Sequence, residues 1–324
     1  MVDIHQIEKP VASLFDRFLS EYDRAFQSEI KTIRSAIETI RVSNGKHIRP
    51  LLLLLTAEAC GKATPDSVEY AVLIELLHTV SLIHDDVVDE TKQRRGLPSL
   101  NAVYDNRVAV LVGDYIFSET MMRATKLGDI QVVAILSFLC REMSEGEVKQ
   151  LENQESIILS EPDYFQILEK KTASLLSGCT EIGAITGGAD EKMQDTCKKF
   201  GQLLGCCFQI KDDIFDYFDN QLIGKPSGND IREGKITLPL LYALISTPES
   251  EKARYVEMIN NNDFTPENIA ALIAFAKAKG GIEYAQARMK EYKEKAIEII
   301  ETLPPSEAKD SLILLADYLV DRSK

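Results

Sequence analysis

The sequence predicts an all-α protein, a single-domain antiparallel helical bundle over residues 1–324. Two observations carry this. Nearly every segment places its apolar residues at spacings of three and four, the helical period. Alternating β-branched runs closed by Asn-Gly or Asp-Gly turns are missing, so strand content should be very low.

The elements follow in order. Residues 11–41 read as one amphipathic helix, with Phe15, Phe18, Tyr22, Phe26, Ile30, Ile33, Ile37 and Ile40 on its apolar side. Asn44-Gly45 breaks it. Pro50 opens a helix over Leu51–Cys60, at a position where proline is tolerated, and Gly61 closes it. Thr64-Pro65-Asp66 starts a long apolar helix that ends at Asp85-Asp86-Val87-Val88-Asp89. Gln93–Ser99, with Gly96 and Pro98, reads as a loop. Helices are expected over 101–127, 129–156, from Pro162 to about 187, and over 190–219. Residues 220–235 carry Gly, Pro, Asn and charge and read as a loop. Pro239 opens a helix to Ser246, and 249–260, 265–279, 281–302 and 305–322 follow as further helices. No composition shift or repeat divides the chain, which is why one domain is expected.

Composition narrows the function. The net charge of −14, with a pI near 4.9, argues against nucleic-acid binding and against adsorption to anionic lipid. The six cysteines show no C-x-x-C spacing and read as reduced thiols of a cytoplasmic protein. The N-terminal stretch carries Asp3 and Glu8 without an apolar run, so no signal peptide is expected. The most apolar segment, Val68 to Ile83, is interrupted by Glu69, Glu75 and His78 and reads as a buried core helix, not a membrane insertion.

The chemistry concentrates in two acidic motifs. Asp85 and Asp89 are four apart, so in a helix they lie on one face, one turn from each other. Two carboxylates so placed repel unless a cation lies between them, and a hard divalent ion such as Mg²⁺ suits oxygen ligands. The pattern returns at Asp212-Asp213-Ile214-Phe215-Asp216. Both copies fall at the C-terminal end of a helix, where the macrodipole already makes negative charge unwelcome. Ions bound there would hold a polyanion, most simply a diphosphate. Cations that match such an anion stand in several groups: Lys46 and Arg49 in a turn, Arg94-Arg95 after the first motif, Lys171-Thr172 within a helix, and Lys225 and Lys235 after the second motif. His78 lies two turns below Asp85, and Gln209 one turn below Asp212.

These residues resemble the trans-isoprenyl diphosphate synthases of the polyprenyl synthetase family. The resemblance runs from about residue 44 to 240. It rests on Gly45-Lys46-His47-Ile48-Arg49-Pro50, on Leu77-His78 through Asp89, and on Arg94-Arg95-Gly96. Val112-Gly113-Asp114-Tyr115, Gly146-Glu147 with Gln150-Leu151, and Lys171-Thr172 continue it. Phe208-Gln209 through Asp216, Gly224-Lys225-Pro226 and Glu233-Gly234-Lys235 complete it. Asn44 and His47 depart from the usual glycine and arginine near Lys46, and Ser99 from the common threonine.

The resemblance implies an isoprenoid synthase type I-like bundle around a central apolar cavity. It implies that Asp85, Asp89 and Asp212 hold about three Mg²⁺, with Asp86, Asp213 and Asp216 ancillary. Arg94, Lys171, Lys225 and Lys235 would bind an allylic diphosphate, with Thr172 and Gln209 beside the reacting carbons. Lys46, Arg49, His78 and Arg95 would bind isopentenyl diphosphate. A homodimer is implied, and Val108–Phe117 is a candidate contact helix. Product length is expected to depend on Ser81, Val80, Leu77 and Ile74 below the first motif, each turn deepening a tunnel by about 5.4 Å. Leu136, Phe138 and Leu139 are candidates for its floor. No aromatic stands one turn below Asp85, so the expected product is long, about C35–C45 and centred on octaprenyl. A C20–C25 synthase, a class I terpene cyclase and a non-catalytic subunit of a heteromeric synthase are the alternatives. The second motif and Lys46/Arg49 argue against a cyclase, and two whole motifs argue against a non-catalytic subunit.

Overall fold

The computed structural model describes residues 4–42, 45–155, 160–218 and 227–321. Its helices are α1 (Ile4–Glu8), α2 (Ala12–Arg24), α3 (Lys31–Val42), α4 (Ile48–Cys60), α5 (Pro65–Val88), α6 (Leu100–Tyr104), α7 (Asn106–Leu127), α8 (Ile130–Glu155) and α9 (Glu161–Leu168). They continue with α10 (Ser174–Thr186), α11 (Glu191–Phe215), α12 (Asn229–Arg232), α13 (Leu238–Ser246), α14 (Glu249–Asn260), α15 (Pro266–Ala278), α16 (Gly281–Ile300) and α17 (Glu307–Asp321). The all-α expectation holds. The described chain forms two compact units. One is Met1–Arg141, Leu175–Gly201 and Ile297–Tyr318; the other is Glu142–Ser174, Gln202–Ala296 and Leu319–Lys324.

The first unit is built on α5, which packs against α2, α4 and α7. Its start is fixed by a capping box: Thr64 accepts from the Ser67 amide and Ser67 Oγ accepts from the Thr64 amide, with Pro65 in the first turn. Val68 to Leu77 is buried almost without interruption, as are Leu51 to Leu55 of α4. Such helices are apolar all round because neighbours cover every side. The α4–α10 contact is a backbone contact. A Cβ on Gly183 would come within 2.6 Å of the Leu53 carbonyl oxygen, so only glycine permits this approach.

Several boundaries differ from the sequence expectation, and the segment read as a loop over 220–235 contains the short helix α12. The segment read as one helix over 11–41 is α2 and α3, broken between them; Ser28 Oγ accepts the Ile30 amide there, and such local hydroxyl bonds compete with the helical ladder. The segment read as one helix from 101 breaks at Asp105, which has φ 90° and caps α7 by accepting from the Val108 amide at 3.0 Å. The 93–99 loop contains a two-residue antiparallel ladder, β1 (Gln93–Arg94) with β2 (Leu97–Pro98). Arg95 and Gly96 between them both have positive φ, the requirement of a tight hairpin turn.

The second unit buries Ile210, Ile214 and Tyr217 of α11 and its following turn with Leu238 and Leu241 of α13 and Leu272 and Phe275 of α15. Tyr255 stacks on Phe275 at 4.0 Å. Between α9 and α10 the chain opens into one π-helical turn, Glu169–Ala173, which the helical periodicity did not reveal. Such turns recur at functional sites because they re-aim side chains without ending the helix.

Gly183→Val should cost roughly 1–3 kcal/mol, because α4 and α10 must separate to admit the side chain. A urea unfolding curve measures this; an unchanged midpoint would show that the close approach is not needed.

Candidate active site

The first unit holds a cleft lined by Tyr22, Gly45, His47, Glu75, His78, Thr79, Asp86, Arg94, Arg95 and Ser99, among others. The end of α5 provides its acids. Asp86 is 4% exposed, and Arg94 holds it with both geometries of a bidentate pair: Nε donates to Oδ1 at 2.8 Å and to Oδ2 at 2.9 Å, and a terminal nitrogen lies 2.6 Å from Oδ1. The backbone after the motif is also tied down, with the Thr91 amide and Asn101 Nδ2 both donating to the Asp86 carbonyl. Asp85 and Asp89 are partly exposed. The predicted metal face and the Arg94 contact are therefore on opposite duties: Arg94 compensates a buried carboxylate, while Asp85 and Asp89 reach the surface.

Basic residues stand in this cleft, as Arg94 and Arg95, and beside it. Arg49 donates to His78 Nε2 at 3.0 Å, so that nitrogen is an acceptor and the ring proton lies on Nδ1. Burial holds His78 well below the usual histidine range, and the Arg49, Arg95 and Arg94 cations push it the same way. It orients Arg49 and carries no charge of its own. The Arg95 guanidinium lies against Gly45, where a Cβ would come within 2.7 Å of it. Lys46 donates to the Tyr318 hydroxyl at 2.9 Å and lies over that ring. His47, in the left-handed region at φ 47°, turns inward to Glu75, Nδ1 to Oε1 2.8 Å, with its ring edge-on to Phe18 and Tyr22.

The second unit holds a separate cleft lined by Gln150, Asn153, Gln154, Tyr164, Lys171, Thr172, Gln209, Asp213, Asp230 and Lys235, among others. The π turn brings Lys171 and Thr172 to it. Gly146 makes that turn possible, since a Cβ there would come within 2.8 Å of the Lys171 amide nitrogen. Lys171 Nζ pairs with Glu147 and donates to Gln150. A relay then runs along α11: Thr172 Oγ1 donates to Gln209 Oε1 at 2.9 Å, Gln209 Nε2 donates to Asp213 Oδ1 at 2.8 Å, and the Tyr164 hydroxyl donates to Asp213 Oδ2 at 2.5 Å. Burial raises Asp213 to about 7 against these two donors, with Asp212 and Asp216 adding to the rise. Asp216 accepts the amides of Asn229 and Asp230 at 2.9 and 3.0 Å, so it caps α12 and holds the chain that leads to Lys235. Lys235 pairs with Glu233 at 2.7 Å. Asp212 is partly exposed.

Lys225 and its neighbours Gly224 and Pro226 lie outside the described residues. The tunnel residues belong to the first unit. Ile74, Leu77 and Val80 are buried, and Ser81 Oγ donates to the His78 carbonyl. Leu136 and Leu139 of α8 are buried, but Phe138 is 42% exposed with Arg141 and Lys198 over its ring. Phe138 is therefore no floor of an interior tunnel; it stands next in sequence to Leu139, and successive helix positions face different ways. Residues that sequence reasoning missed are Asn101, Tyr164, Asp230 and Asn153. Asn153 follows Gln150 by one helical turn, a spacing that could have found it; Tyr164 carried no such signal.

Among the described residues no three or more His, Cys, Asp or Glu converge into a metal cage. Asp85, Asp89 and Asp212 offer partly exposed carboxylate oxygens, the donors a hard divalent ion such as Mg²⁺ takes. No helix is long and apolar enough to cross a membrane among the described residues.

Residues 30–276 match the polyprenyl synthetase family. Octaprenyl diphosphate synthase of Haemophilus influenzae is 38% identical over 280 residues, covering 86% of this chain and 85% of that one. A short chain isoprenyl diphosphate synthase of Methanothermobacter thermautotrophicus is 32% identical over 327 residues, covering 99% of each. A polyprenyl synthase from Caulobacter crescentus, crystallised with calcium and isoprenyl diphosphate, is similar in backbone at TM-score 0.93 and 29% identity, covering 99% of this chain and 98% of that one. Similarity over this much of the chain, in sequence and in backbone alike, means that the chain belongs to the polyprenyl synthetase family and is a trans-prenyltransferase.

Proposed function

We propose that the enzyme condenses isopentenyl diphosphate head to tail with an allylic diphosphate, farnesyl or geranylgeranyl, to give an all-trans polyprenyl diphosphate of about C35–C45 for a quinone side chain. In this reading residues 1–324 act as one catalytic domain, in the cytoplasm and as a homodimer. The observation that carries it is a pair of cation-lined clefts among the described residues, one with Arg94 and Arg95, the other with Lys171 and Lys235. A condensing enzyme binds two diphosphates at once; a cyclase binds one.

The roles follow from the chemistry of each side chain. Asp85, Asp89 and Asp212 are partly exposed, and they would hold Mg²⁺, about three ions when substrate is bound. Asp86, Asp213 and Asp216, expected as ancillary ligands, have their oxygens engaged by Arg94, by Tyr164 and Gln209, and by backbone amides; that supports architectural parts for all three. The ions would supply Lewis-acid stabilisation of a departing diphosphate. Lys171 and Lys235 would exchange their carboxylate partners for the allylic diphosphate, and Lys225 and Arg94, the latter held by Asp86, would join them. Charge placed ahead of time where the leaving group gains charge favours ionisation. Thr172 and Gln209, fixed by their relay to Asp213, would hold oriented dipoles beside the allylic carbons. Arg49, Arg95 and Lys46 would hold isopentenyl diphosphate, with His78 keeping Arg49 in place. The double bond of that substrate would attack the allylic carbon, and the released diphosphate is the base that fits, since no side chain here is an evident one. Water must be excluded, because it would quench the cation.

Product length is supported by the first unit. Below Asp85, Val80, Leu77 and Ile74 present only aliphatic side chains, and Leu136 and Leu139 of α8 are the buried floor candidates. A second reading, a C20–C25 product, is favoured by the whole-chain similarity to the archaeal short chain enzyme. The exposed Leu111 on α7, at 66%, and Met122, at 48%, support an apolar face for a second copy of the chain.

Purified protein incubated with Mg²⁺, farnesyl diphosphate and isopentenyl diphosphate should release diphosphate and yield polyprenyl products of about C35–C45 by chromatography. No diphosphate release would sink the condensing assignment, and products ending at C20–C25 would favour the second reading. Arg95→Gln should raise the KM for isopentenyl diphosphate about tenfold or more, with the allylic KM changed far less, since a bidentate charged contact is lost at one site only. Equal rises in both KM values would contradict the division of the two clefts. Ser81→Phe should shorten the product by filling the turn below Asp85; an unchanged product would remove the α5 face as the wall of the tunnel.

A further inference from the structure

All six cysteines are free thiols, and Cys60 and Cys197 stand out among them. Cys60 ends α4 and is partly exposed; Cys197 is buried in the second turn of α11. Their sulfurs are 3.5 Å apart. A disulfide needs about 2.05 Å, so a shift of about 1.5 Å shared between two side chains closes the bond. The last turns of α4 are held firmly, because Gly183 and Gly187 of the segment behind them lie directly on the Leu53 and Ala57 carbonyls.

The two thiols differ in a way that suits a stepwise reaction. Cys60 is the reachable one, and the hydrogen bond from Cys197 lowers its pKa. Cys197 is pushed far up by that same bond and by burial. The thiolate is the attacking species in thiol–disulfide exchange, so Cys60 attacks and Cys197 resolves.

We propose that Cys60 and Cys197 form a reversible disulfide site whose oxidant is a low-molecular-weight disulfide. In the first step the Cys60 thiolate forms a bond to one sulfur of the oxidant, whose S–S bond breaks and releases a thiolate. In the second, Cys197 gives up its proton to that thiolate, bonds to Cys60 Sγ, and displaces the second thiol of the oxidant. The protein loses two electrons and two protons, and the oxidant becomes two thiols. The bond closes a span of 137 residues. Long closed spans restrict the unfolded chain most, so the oxidised enzyme unfolds at a higher temperature. Arg49 lies eleven residues before Cys60, roughly 16 Å along α4, so the bond forms away from the diphosphate residues of that helix.

The full chain, equilibrated with oxidised glutathione, is digested without reduction and read by mass spectrometry, beside thermal unfolding. The expected result is a peptide joining Cys60 to Cys197, abolished by dithiothreitol, with a thermal midpoint several degrees above the reduced protein. C60S and C197S should each fold, give no such peptide and show no midpoint rise under the oxidant. A glutathione adduct on Cys60 with Cys197 still reduced, a cross-link between other cysteines, or no cross-link at all overturns the proposal. An oxidised C60S protein that gains the same stability as the unsubstituted chain overturns it too.

Discussion

The pairing of Asp86 with Arg94 is the constraint from which the first cleft follows. An ionised carboxylate at 4% exposure is strongly unfavourable unless donors surround it, and a guanidinium fork supplies them in one rigid contact. That contact has consequences on both sides. Upstream, it settles which acids of the motif turn inward and leaves Asp85 and Asp89 on the outer face of α5. Downstream, it anchors β1, and the tight turn after β1 swings Arg95 toward Gly45. One ion pair thus orders an acidic face and a basic one within ten residues of chain. The second unit solves the same problem with neutral donors. Tyr164 and Gln209 hold Asp213, and burial raises its carboxyl against these donors.

Close backbone approach does the rest of the positioning. Lys171 and Thr172 sit on a widened turn that needs space beside it, and the absence of a side chain at Gly146 provides that space. The result is a lysine held by Glu147 and Gln150 beside the relay from Thr172 to Tyr164. A cation already paired with a carboxylate is poised to exchange partners, and the exchange keeps a buried charge compensated throughout. The same holds for Lys235 on Glu233. Both lysines are thus held in place by neighbouring carboxylates.

Much of this was legible in the chain. Helix ends marked by Pro65, Gly61 and Pro239 fell where proline and glycine chemistry places them, and the spacing of Asp85 to Asp89 foretold their common face. The breaks at residues 25–30 and at Asp105 were not legible, because the apolar period continues across each of them. A side chain accepting a local amide stands at the start of the helix after each break, and periodicity does not register it. The π turn escaped for a related reason: one extra residue shifts the register of everything after it without changing which residues are apolar. Phe138 was misread because size and hydrophobicity were weighed without facing. Tyr164 was invisible, since a tyrosine on the apolar side of a helix looks like core until its hydroxyl is seen on Asp213.

His47 shows how a departure from family pattern is resolved by geometry. By sequence alone, replacing an arginine in the basic turn removes a permanent cation from a diphosphate site. The backbone at residue 47, in the left-handed region, instead directs the side chain inward, where the ring meets Glu75 and fits edge-on between Phe18 and Tyr22. Its task is to donate to a buried carboxylate, and a flat ring in an aromatic slot does so with less rotamer entropy lost than a long arginine would lose. The neighbours Lys46 and Arg49 keep their permanent charge and their own contacts, on Tyr318 and His78. The substitution therefore bears on the packing beneath the turn.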